Sequence, residues 1–424
     1  MLLLSLLSLL SLLACPADPI DAVGSAPPLS AALLDQLDPH RIKAHVDVLA
    51  DDALGGRIPG SVGSQSAQDY ILEEMAAVGL QPLGLDQSYT YAYQNSPSAS
   101  SWMVSSDGTV VPHQTSEGVD LIGLIPGNDP VLAEEYMVVI AHYDHLGVTE
   151  DGAVYNGAFD NAAAVGMALE MARVFIDNGV SMQRSLVFLF TDDEEFGLRG
   201  AEAWIRDPTV PQESVVFGVS VDPTGRRNLP DFDPIVLIGL ERAPALSAVW
   251  QEAARFVDAP VFRINRDVIP IFASDQDPFF EEDTPALWFT NIGFSFYHTT
   301  EDTPETIDYR MVLQNAELLS HALALIGNSD ERYDYIGPAE PDGDTAREAL
   351  RLLDALLESD YPNTSDAEMA NFYREELEAV VEADSHSALS TTTEAFYTGA
   401  LYFLLFDLPV KYPGEVPPPW PEGW

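Results

Sequence analysis

Short apolar runs alternate with amphipathic segments from about residue 35 to about residue 330. Five runs contain few polar residues and are predicted to be strands buried on both faces of a sheet: 136–141, 185–191, 215–221, 235–240 and 286–291. Six segments repeat apolar residues every three or four positions and are predicted to be helices: 38–50, 64–78, 162–175, 200–205, 243–256 and 309–326. This alternation predicts an α/β fold, a three-layer αβα sandwich with a mainly parallel central sheet.

The pattern changes after Pro338, where helical periodicity continues and no strand pattern accompanies it. Three stretches carry this periodicity: 345–358, 366–382 and 392–406. The chain is therefore expected to contain an α/β domain over 35–330 and a helical C-terminal extension over 338–424. The extension is expected to pack against the domain or a partner, and a hairpin that buries its own apolar stripe is favoured over a dimerisation arm.

The first fourteen residues, MLLLSLLSLLSLLA, would form a helix roughly 21 Å long, too short for a bilayer core of about 30 Å. They lead into Leu12-Leu13-Ala14-Cys15, which resembles the lipobox of bacterial lipoprotein signal peptides, although the first basic residue is Arg41. The resemblance implies that residues 1–14 are a signal peptide, that Cys15 is lipidated, and that 15–34 form a flexible tether. The protein would then be exported and membrane-anchored, in the periplasm or on the cell surface. A plain cleaved signal and a buried N-terminal helix are the alternatives.

Composition and charge narrow the range of partners. Hydrophobic residues make up 46% of the chain, as in folded globular proteins. The 19 basic and 68 acidic residues give a net charge of −49, which disfavours binding to nucleic acid or to an anionic membrane surface. Contact with a membrane is therefore expected only through a lipid anchor, and the oligomeric state is left open.

Metal-ligating types of side chain follow the predicted strands at the point where each strand ends. In chain order they are His142, Asp144, Glu194, Glu195 and Asp222. Asp160, which opens an Ala-rich helix, and His298, which follows the last strand, extend the set. Ligands bind at the carboxyl edge of open α/β sheets, and imidazole and carboxylate are groups that zinc prefers. The sequence therefore predicts a metal site at this edge.

Like charges packed into one cleft cannot all stay ionised without a cation among them. The carboxylates in question are Asp144, Asp160, Glu194, Glu195 and Asp222. Lysine is absent from these motifs, and the neighbouring arginines, Arg199, Arg226 and Arg227, fall in predicted loops. Two divalent cations come close to balancing five negative charges, which favours a two-metal site.

The chain contains five motifs that, in this order, resemble the signature series of the family-28 metallopeptidases, the co-catalytic di-zinc aminopeptidases: AHYDHLG, NGAFDNAAA, LVFLFTDDEEFGLRGAEAW, SVDPTG and FYHTTEDTP. The segment LADDALGGRIPGSVGSQSAQDYILEEMAAVGLQP resembles that family's N-terminal helices, and ASDQDPF resembles its Ser-Asp-His-x-Pro-Phe loop, with Gln276 in place of the histidine. The resemblance covers about residues 38–328. It implies a zinc-exopeptidase-like fold, a peptide substrate, two zinc ions and removal of N-terminal residues.

The resemblance also implies how the two zinc ions are held. His142 and Asp222 would bind one ion, Glu195 and His298 would bind the other, and Asp160 would bridge both.

Catalytic roles follow from the same resemblance. Glu194 would be the general base, which takes a proton from the attacking water and returns it to the leaving amine. Asp144 would orient the imidazole of His142, and Tyr297 would help to polarise the scissile carbonyl. A cis peptide is implied at Asp160-Asn161.

Several other polar residues are expected to have ordinary roles. His145 is a rival ligand, but a loop histidine with an exposed ring is the expectation. Asp192 and Asp193 are expected in a solvated acidic loop, and Asp302 and Asp308 at turns or helix caps. The remaining histidines are expected on the surface or on helix faces: His40, His45, His113, His321 and His386.

Three rival functions share parts of this pattern. A peptidase with a dimerisation domain between its last two ligands needs more than the 76 residues that separate Asp222 from His298. A glutaminyl cyclase shares the fold, uses one zinc and performs intramolecular acyl transfer, but the retained His142 favours two metals and hydrolysis. A non-catalytic relative would be expected to have lost ligands, and none is missing from the motifs.

Overall fold

The computed structural model describes residues 29–95, 102–104, 108–112, 116–226, 234–269, 274–291, 296–339, 343–358 and 364–383. The predicted signal peptide, Cys15 and the helical pattern at 392–406 lie outside these residues. Among the described residues, no helix is both long and apolar enough to cross a bilayer. The end of the expected tether is already part of the folded domain, because Leu33 and Leu34 are buried in a short helix. Both are apolar and join the core cluster, so the ordered domain begins before residue 35.

The described residues form eleven strands and ten α-helices. The strands are β1 Gln81–Pro82, β2 Thr90–Gln94, β3 Trp102–Val104, β4 Val110–Pro112, β5 Glu117–Ile125, β6 Tyr136–His142, β7 Ser185–Thr191, β8 Val215–Val221, β9 Ile235–Ile238, β10 Val261–Ile264 and β11 Ala286–Asn291. The helices are α1 Ala31–Leu34, α2 Pro39–Leu49, α3 Val62–Val78, α4 Ala163–Asp177, α5 Arg199–Arg206, α6 Pro244–Ala253, α7 Asp277–Glu281, α8 Tyr309–Gly327, α9 Gly343–Glu358 and α10 Thr364–Ala383. The five predicted strands and six predicted helices are all present, with shifts of a few residues at most at their ends.

One large sheet organises the domain, in the order β1-β5-β7-β6-β8-β11-β9-β10, with β2 also paired to β5. The four central strands, β7, β6, β8 and β11, run parallel. On one side β5 pairs antiparallel with β7, and on the other β9 pairs antiparallel with β11. The prediction of a mainly parallel central sheet is therefore confirmed at the centre, and the sheet is mixed towards both edges.

Helices cover both faces of the sheet, because successive strand residues point to opposite sides. In β6, Val139 and Ala141 belong to the larger core, which also contains the buried residues of α2, α4, α6 and α8. The alternate residues Val138 and Ile140 belong to a second core, in which Trp204 of α5 and a phenylalanine of α7 pack together. The three-layer αβα arrangement is confirmed.

The parallel centre brings several strand ends to one edge of the sheet. His142, the last residue of β6, pairs in register with Thr191, the last residue of β7. The neighbouring strand β8 ends at Val221, one residue before Asp222. Segments that follow these three strands therefore start side by side, although they are far apart in sequence.

The C-terminal extension packs against the sheet at the β10 edge. Its helix α9 buries positions every three or four residues, Ala346, Ala349, Leu353 and Leu356 among them, in the same core as the sheet. Arg263 of β10 forms an ion pair of 2.6 Å with Glu348 of α9. A helix laid along an edge strand covers apolar surface and hinders pairing with another strand.

Leu353→Ala in α9 should lower the free energy of unfolding by about 2–5 kcal/mol, because the side chain is fully buried and its removal leaves a cavity. Val131→Ala is the matched control, since Val131 is 72% exposed and should change stability by less than about 0.5 kcal/mol. Urea unfolding of both variants gives the comparison. Equal stability of the two variants would mean that α9 is not part of the core.

Candidate metal centre

The first half of the site lies between the ends of β6 and β8. His142 Nε2 is 3.2 Å from Asp222 Oδ1 and 3.0 Å from Asp160 Oδ1. These three residues are buried and offer donor atoms close enough together to hold one metal ion. The structure thus brings together three of the five predicted ligands.

Asp160 lies in the irregular turn Ala158–Ala162 that precedes α4, and the Asp160-Asn161 peptide is cis, as the resemblance implied. Asp302 stabilises the turn, because its carboxylate accepts hydrogen bonds from the backbone N–H groups of Phe159 and Asp160 at 2.9 and 3.1 Å. This leaves both carboxylate oxygens of Asp160 directed at histidines. Oδ1 approaches His142, and Oδ2 lies 3.1 Å from His298 Nε2.

The second half of the site surrounds Glu195. Its Oε2 lies 2.8 Å from His298 Nε2, and its Oε1 lies 2.6 Å from His145 Nδ1. His145, Asp160 and Glu195 also offer donor atoms close enough to hold a metal ion. All five predicted ligands therefore meet, and a third histidine joins them.

The donor set fits zinc. Two of the atoms that would face an ion, Asp160 Oδ2 and His298 Nε2, are buried 3.1 Å apart, but they are not aligned for a hydrogen bond with each other or with another described residue. Buried polar atoms almost always have a hydrogen-bond partner, so a pair of orphans on these residue types points to a cation. Imidazole nitrogen and carboxylate oxygen are the atoms by which proteins bind Zn²⁺.

The negative potential of the site acts on its own histidines. Burial lowers the pKa of His298, but Glu195 and Asp160 outweigh it and raise that pKa to about 10. Burial likewise opposes charge on His142, yet Asp222, Glu194 and other acids raise its pKa well above the usual value. Ligating imidazoles must be neutral, so binding of a divalent cation would release protons from this cluster.

The three predicted catalytic residues also lie at the site. Asp144 accepts hydrogen bonds from the backbone N–H groups of Glu194 and Glu195 at 3.1 and 3.4 Å, and its Oδ1 lies 3.5 Å from His142 Nδ1. Burial raises the pKa of Glu194 well above its ordinary value. The ring of Tyr297 stacks on that of His298, with centroids 3.6 Å apart.

Two expectations about nearby residues are wrong. His145 does not have an exposed ring. It is fully buried, and Glu195 and His298 lie against the ring. Asp192 and Asp193 are not solvated either, since β5 and the segment after β2 cover them. The backbone N–H of Val119 donates to Asp192, and the side-chain amide of Asn95 donates to Asp193 at 2.8 Å. Burial of these acids depends on contacts between distant segments, which a local sequence pattern does not reveal.

Other expectations are met, or met in a different way. Asp308 caps α8 by accepting from the N–H groups that follow it, and Asp302 holds a turn. Gln276 is buried beside α7 and donates to Asp277 at 2.8 Å. The loop that contains Gln276 contacts the site through Ser274, whose hydroxyl donates to Asp222 Oδ2 at 2.6 Å.

The histidines outside the motifs differ in exposure. His40 is exposed on α2, as expected. His45 and His321 lie on helix faces but are buried. Burial lowers the pKa of His45 to about 4, and its Nδ1 lies 2.8 Å from the Tyr70 hydroxyl. His113 and His386 lie outside the described residues.

Arg57 is a buried cation at the site that was not predicted. Its guanidinium donates to the backbone carbonyls of Leu49, Tyr143, Asn156 and Gly157, at 2.7 Å for Tyr143 and 2.6 Å for Asn156. It therefore ties the segment after His142 to the segment before Asp160. Burial lowers the pKa of Arg57 to about 10, opposed by Asp144 and other acids of the site, so the group stays charged at neutral pH.

The glycine before Arg57 allows this close approach. A Cβ on Gly56 would lie 2.1 Å from the carbonyl oxygen of Gly147, and Gly56 has φ +67°. Its carbonyl accepts from the N–H of Gly147 at 3.0 Å. The Gly-Gly-Arg sequence was the available signal. Arg57 binds backbone carbonyls, however, and since every residue has one, the sequence does not indicate which carbonyls are its partners.

Comparisons with known proteins agree with this geometry. Residues 120–323 match Peptidase family M28. A protein of Schizosaccharomyces pombe, described by its name as an endoplasmic reticulum metallopeptidase, is 30% identical over 155 residues, which make up 36% of this chain. The aligned part spans only 18% of that relative's length.

Solved structures share the fold. A leucine aminopeptidase precursor from Bacteroides thetaiotaomicron superposes with a TM-score of 0.51 at 18% identity, covering 68% of this chain and 97% of the other. Porphyromonas gingivalis glutaminyl cyclase superposes with a TM-score of 0.51 at 19% identity, covering 68% and 98%. At such identities the likeness extends to the fold alone.

Arg57→Met should lower the free energy of unfolding by more than about 3 kcal/mol, because four buried carbonyls lose a donor and each loss costs about 1–3 kcal/mol. Urea unfolding in the presence of chelator measures the effect apart from metal binding. Arg255→Met is the matched control, since Arg255 is 72% exposed and its ion pair with Glu252 lies on the surface. If both substitutions cost the same, Arg57 does not hold the two segments together.

Removal of metal should lower the melting temperature, because the ion stabilises only the folded site; a ligand present at about 1,000 times its Kd contributes about 4 kcal/mol. Thermal unfolding after dialysis against chelator, with the metal content measured in parallel, tests this. Zinc added back should restore the wild-type protein but not Asp160→Ala. An unchanged melting temperature after complete metal removal would contradict the metal assignment.

Proposed function

Because residues 120–323 match Peptidase family M28, we propose that this protein is a zinc-dependent aminopeptidase that hydrolyses N-terminal residues from peptides. The observation that supports it most directly is the placement of Asp160. Its Oδ1 lies 3.0 Å from His142 and its Oδ2 lies 3.1 Å from His298, so one carboxylate faces two separate donor groups. Such an arrangement is what a bridging ligand between two metal ions requires.

In this proposal two zinc ions are held by five residues. His142 and Asp222 bind one ion, Glu195 and His298 bind the other, and Asp160 binds both. When bound, the ions supply Lewis acidity for the scissile carbonyl and lower the pKa of water towards neutrality.

Glu194 is the general base of the proposed reaction. Its neighbour Glu195 faces His298 and His145, whereas no ligand contact within either metal group involves Glu194. The Glu194 carboxylate takes a proton from the attacking water and later gives it to the leaving amine. Two adjacent glutamates thus have separate tasks, and Asp144 holds both of their backbone N–H groups in place.

The remaining predicted residues orient this machinery. Asp144 lies beside His142 Nδ1 and fixes the direction of the imidazole. Tyr297 helps to polarise the carbonyl under attack, and the support is that its ring stacks on His298. We also propose that the enzyme is exported and anchored by a lipid on Cys15; the support is the lipobox-like segment Leu12-Leu13-Ala14-Cys15.

Glu194→Gln should keep bound zinc and lower kcat/KM by about 100-fold to 10,000-fold, because the amide cannot take up a proton. Hydrolysis of amino-acid anilides and dipeptides, with metal content measured on the same samples, tests this. Glu252→Gln makes the same substitution on a half-exposed residue of α6 and should leave activity unchanged. Near-wild-type turnover of Glu194→Gln would refute its role as base.

The substrate panel separates the rival functions. Activity on free but not on N-blocked peptides, abolished by chelator, is expected. Activity confined to N-blocked substrates would exclude the aminopeptidase. Cyclisation of an N-terminal glutamine without hydrolysis of the anilides would favour the acyl-transfer function instead.

A further inference from the structure

We propose that His145 is a positioning residue that fixes which oxygen of Glu195 is presented to the metal. The proposal rests on the proposed function in so far as Glu195 is a metal ligand. His145 Nδ1 lies 2.6 Å from Glu195 Oε1, and both side chains are almost completely buried. A carboxylate can only accept, so the ring must carry its proton on Nδ1 and donate it to Oε1.

This hydrogen bond divides the two oxygens of Glu195 between two partners. Oε1 is taken by His145, and Oε2 lies 2.8 Å from His298 Nε2. Rotation of the carboxylate would break the bond to His145. The bond therefore presents Oε2, and not Oε1, to the space shared with His298 and Asp160.

The distances favour a hydrogen bond over metal ligation by His145. Two ligands of one tetrahedral zinc, each about 2.0–2.2 Å from the ion, lie about 3.4 Å apart. The separation of His142 from Asp222, 3.2 Å, is near that value. His145 Nδ1 lies 2.6 Å from Glu195 Oε1, within hydrogen-bond distance, but 3.8 Å from Asp160 Oδ2. His298 Nε2 instead lies close to both acids, 2.8 Å from Glu195 and 3.1 Å from Asp160, as a ligand of an ion shared with them would.

Close packing by neighbouring residues fixes the position of the His145 ring. Gly157 lies against it, and a Cβ there would come within 2.6 Å of the ring atoms Cγ and Cδ2. The backbone N–H of His145 approaches the carbonyl of Arg57 at 3.4 Å, and the ring meets that of His298 edge-on, with centroids 5.8 Å apart. Its other nitrogen, Nε2, is buried and makes no hydrogen bond with the described residues, so the bond to Glu195 is the polar contact that orients the ring.

Residues that orient a metal ligand typically change metal affinity by about 10-fold to 100-fold when they are removed. His145→Leu keeps a similar volume and removes the donor, so zinc affinity at the Glu195 half of the site should fall by that factor. His145→Asn places an amide N–H where Nδ1 was and should restore affinity to within about 3-fold of wild type. An amide is a poor zinc ligand, so rescue by asparagine separates orientation of Glu195 from ligation by His145 itself.

The experiment measures zinc per chain and zinc affinity by competition with a chromophoric chelator, and the visible spectrum of the cobalt-substituted protein. His40→Leu is the matched control, because His40 is exposed on α2 and does not belong to either group of candidate metal donors. Weakened zinc binding in His145→Leu, a changed cobalt spectrum and rescue in His145→Asn support the proposal. Equal affinity of His145→Leu and His40→Leu, or a loss of 100-fold or more in His145→Asn, would overturn it.

These readouts use no substrate, so they do not depend on the aminopeptidase assay. If wild-type protein binds zinc but cleaves no peptide, the proposed function fails while the comparison of the His145 variants still stands. If His145→Leu does not fold, His145→Asn against wild type decides the question alone.

Discussion

Asp160 presents its two carboxylate oxygens to two different histidines, and much of the surrounding chain serves to hold it there. A carboxylate that faces partners on both sides cannot relax towards either, so its backbone must be fixed independently. Asp302 provides this by accepting two consecutive N–H groups of the turn. Arg57 provides it from the other side by binding carbonyls of the segment that leads into the turn.

The same site shows how a protein keeps acids close together. The acids repel one another, and their combined negative potential favours the protonated form of the neighbouring histidines. The pKa values of His142 and His298 therefore rise despite burial. Hydrogen bonds from backbone N–H groups also stabilise the buried acids. Asp144, for example, accepts from the N–H groups of Glu194 and Glu195. Asp222 and Glu195 each have one oxygen that faces a donor, Ser274 and His145 respectively, and a second oxygen that faces a histidine of the cluster. This arrangement allows a cation to bind without collapse of the site.

The parts of the structure that were predictable from the sequence are those set by local periodicity. Uninterrupted apolar runs located the central strands, and the polar residues after them located His142, Glu195 and Asp222, because parallel strands share one carboxyl edge. His145 and Asp193 were assigned to solvent because a polar residue in a loop is usually exposed. Their burial results from contacts with segments about 50 and 100 residues away, Glu195 for the first and Asn95 for the second. The role of Arg57 was not predicted for a related reason: its partners are backbone carbonyl oxygens, which every residue possesses.

The wide spacing of the site along the chain bears on the order of folding. The contact between His142 and Asp222 closes a loop of 80 residues, and the contact between Asp160 and Asp302 closes a loop of 142 residues. Loops of this length are slow to close, so we expect neither contact to form until the central strands are aligned. The ligands therefore cannot gather an ion early and fold around it, as a small zinc finger does. The sheet has to be assembled first, and an emerging chain must reach residue 302 before the turn that carries Asp160 has its support. Metal uptake is thus a late step, performed by a chain that has already acquired its topology.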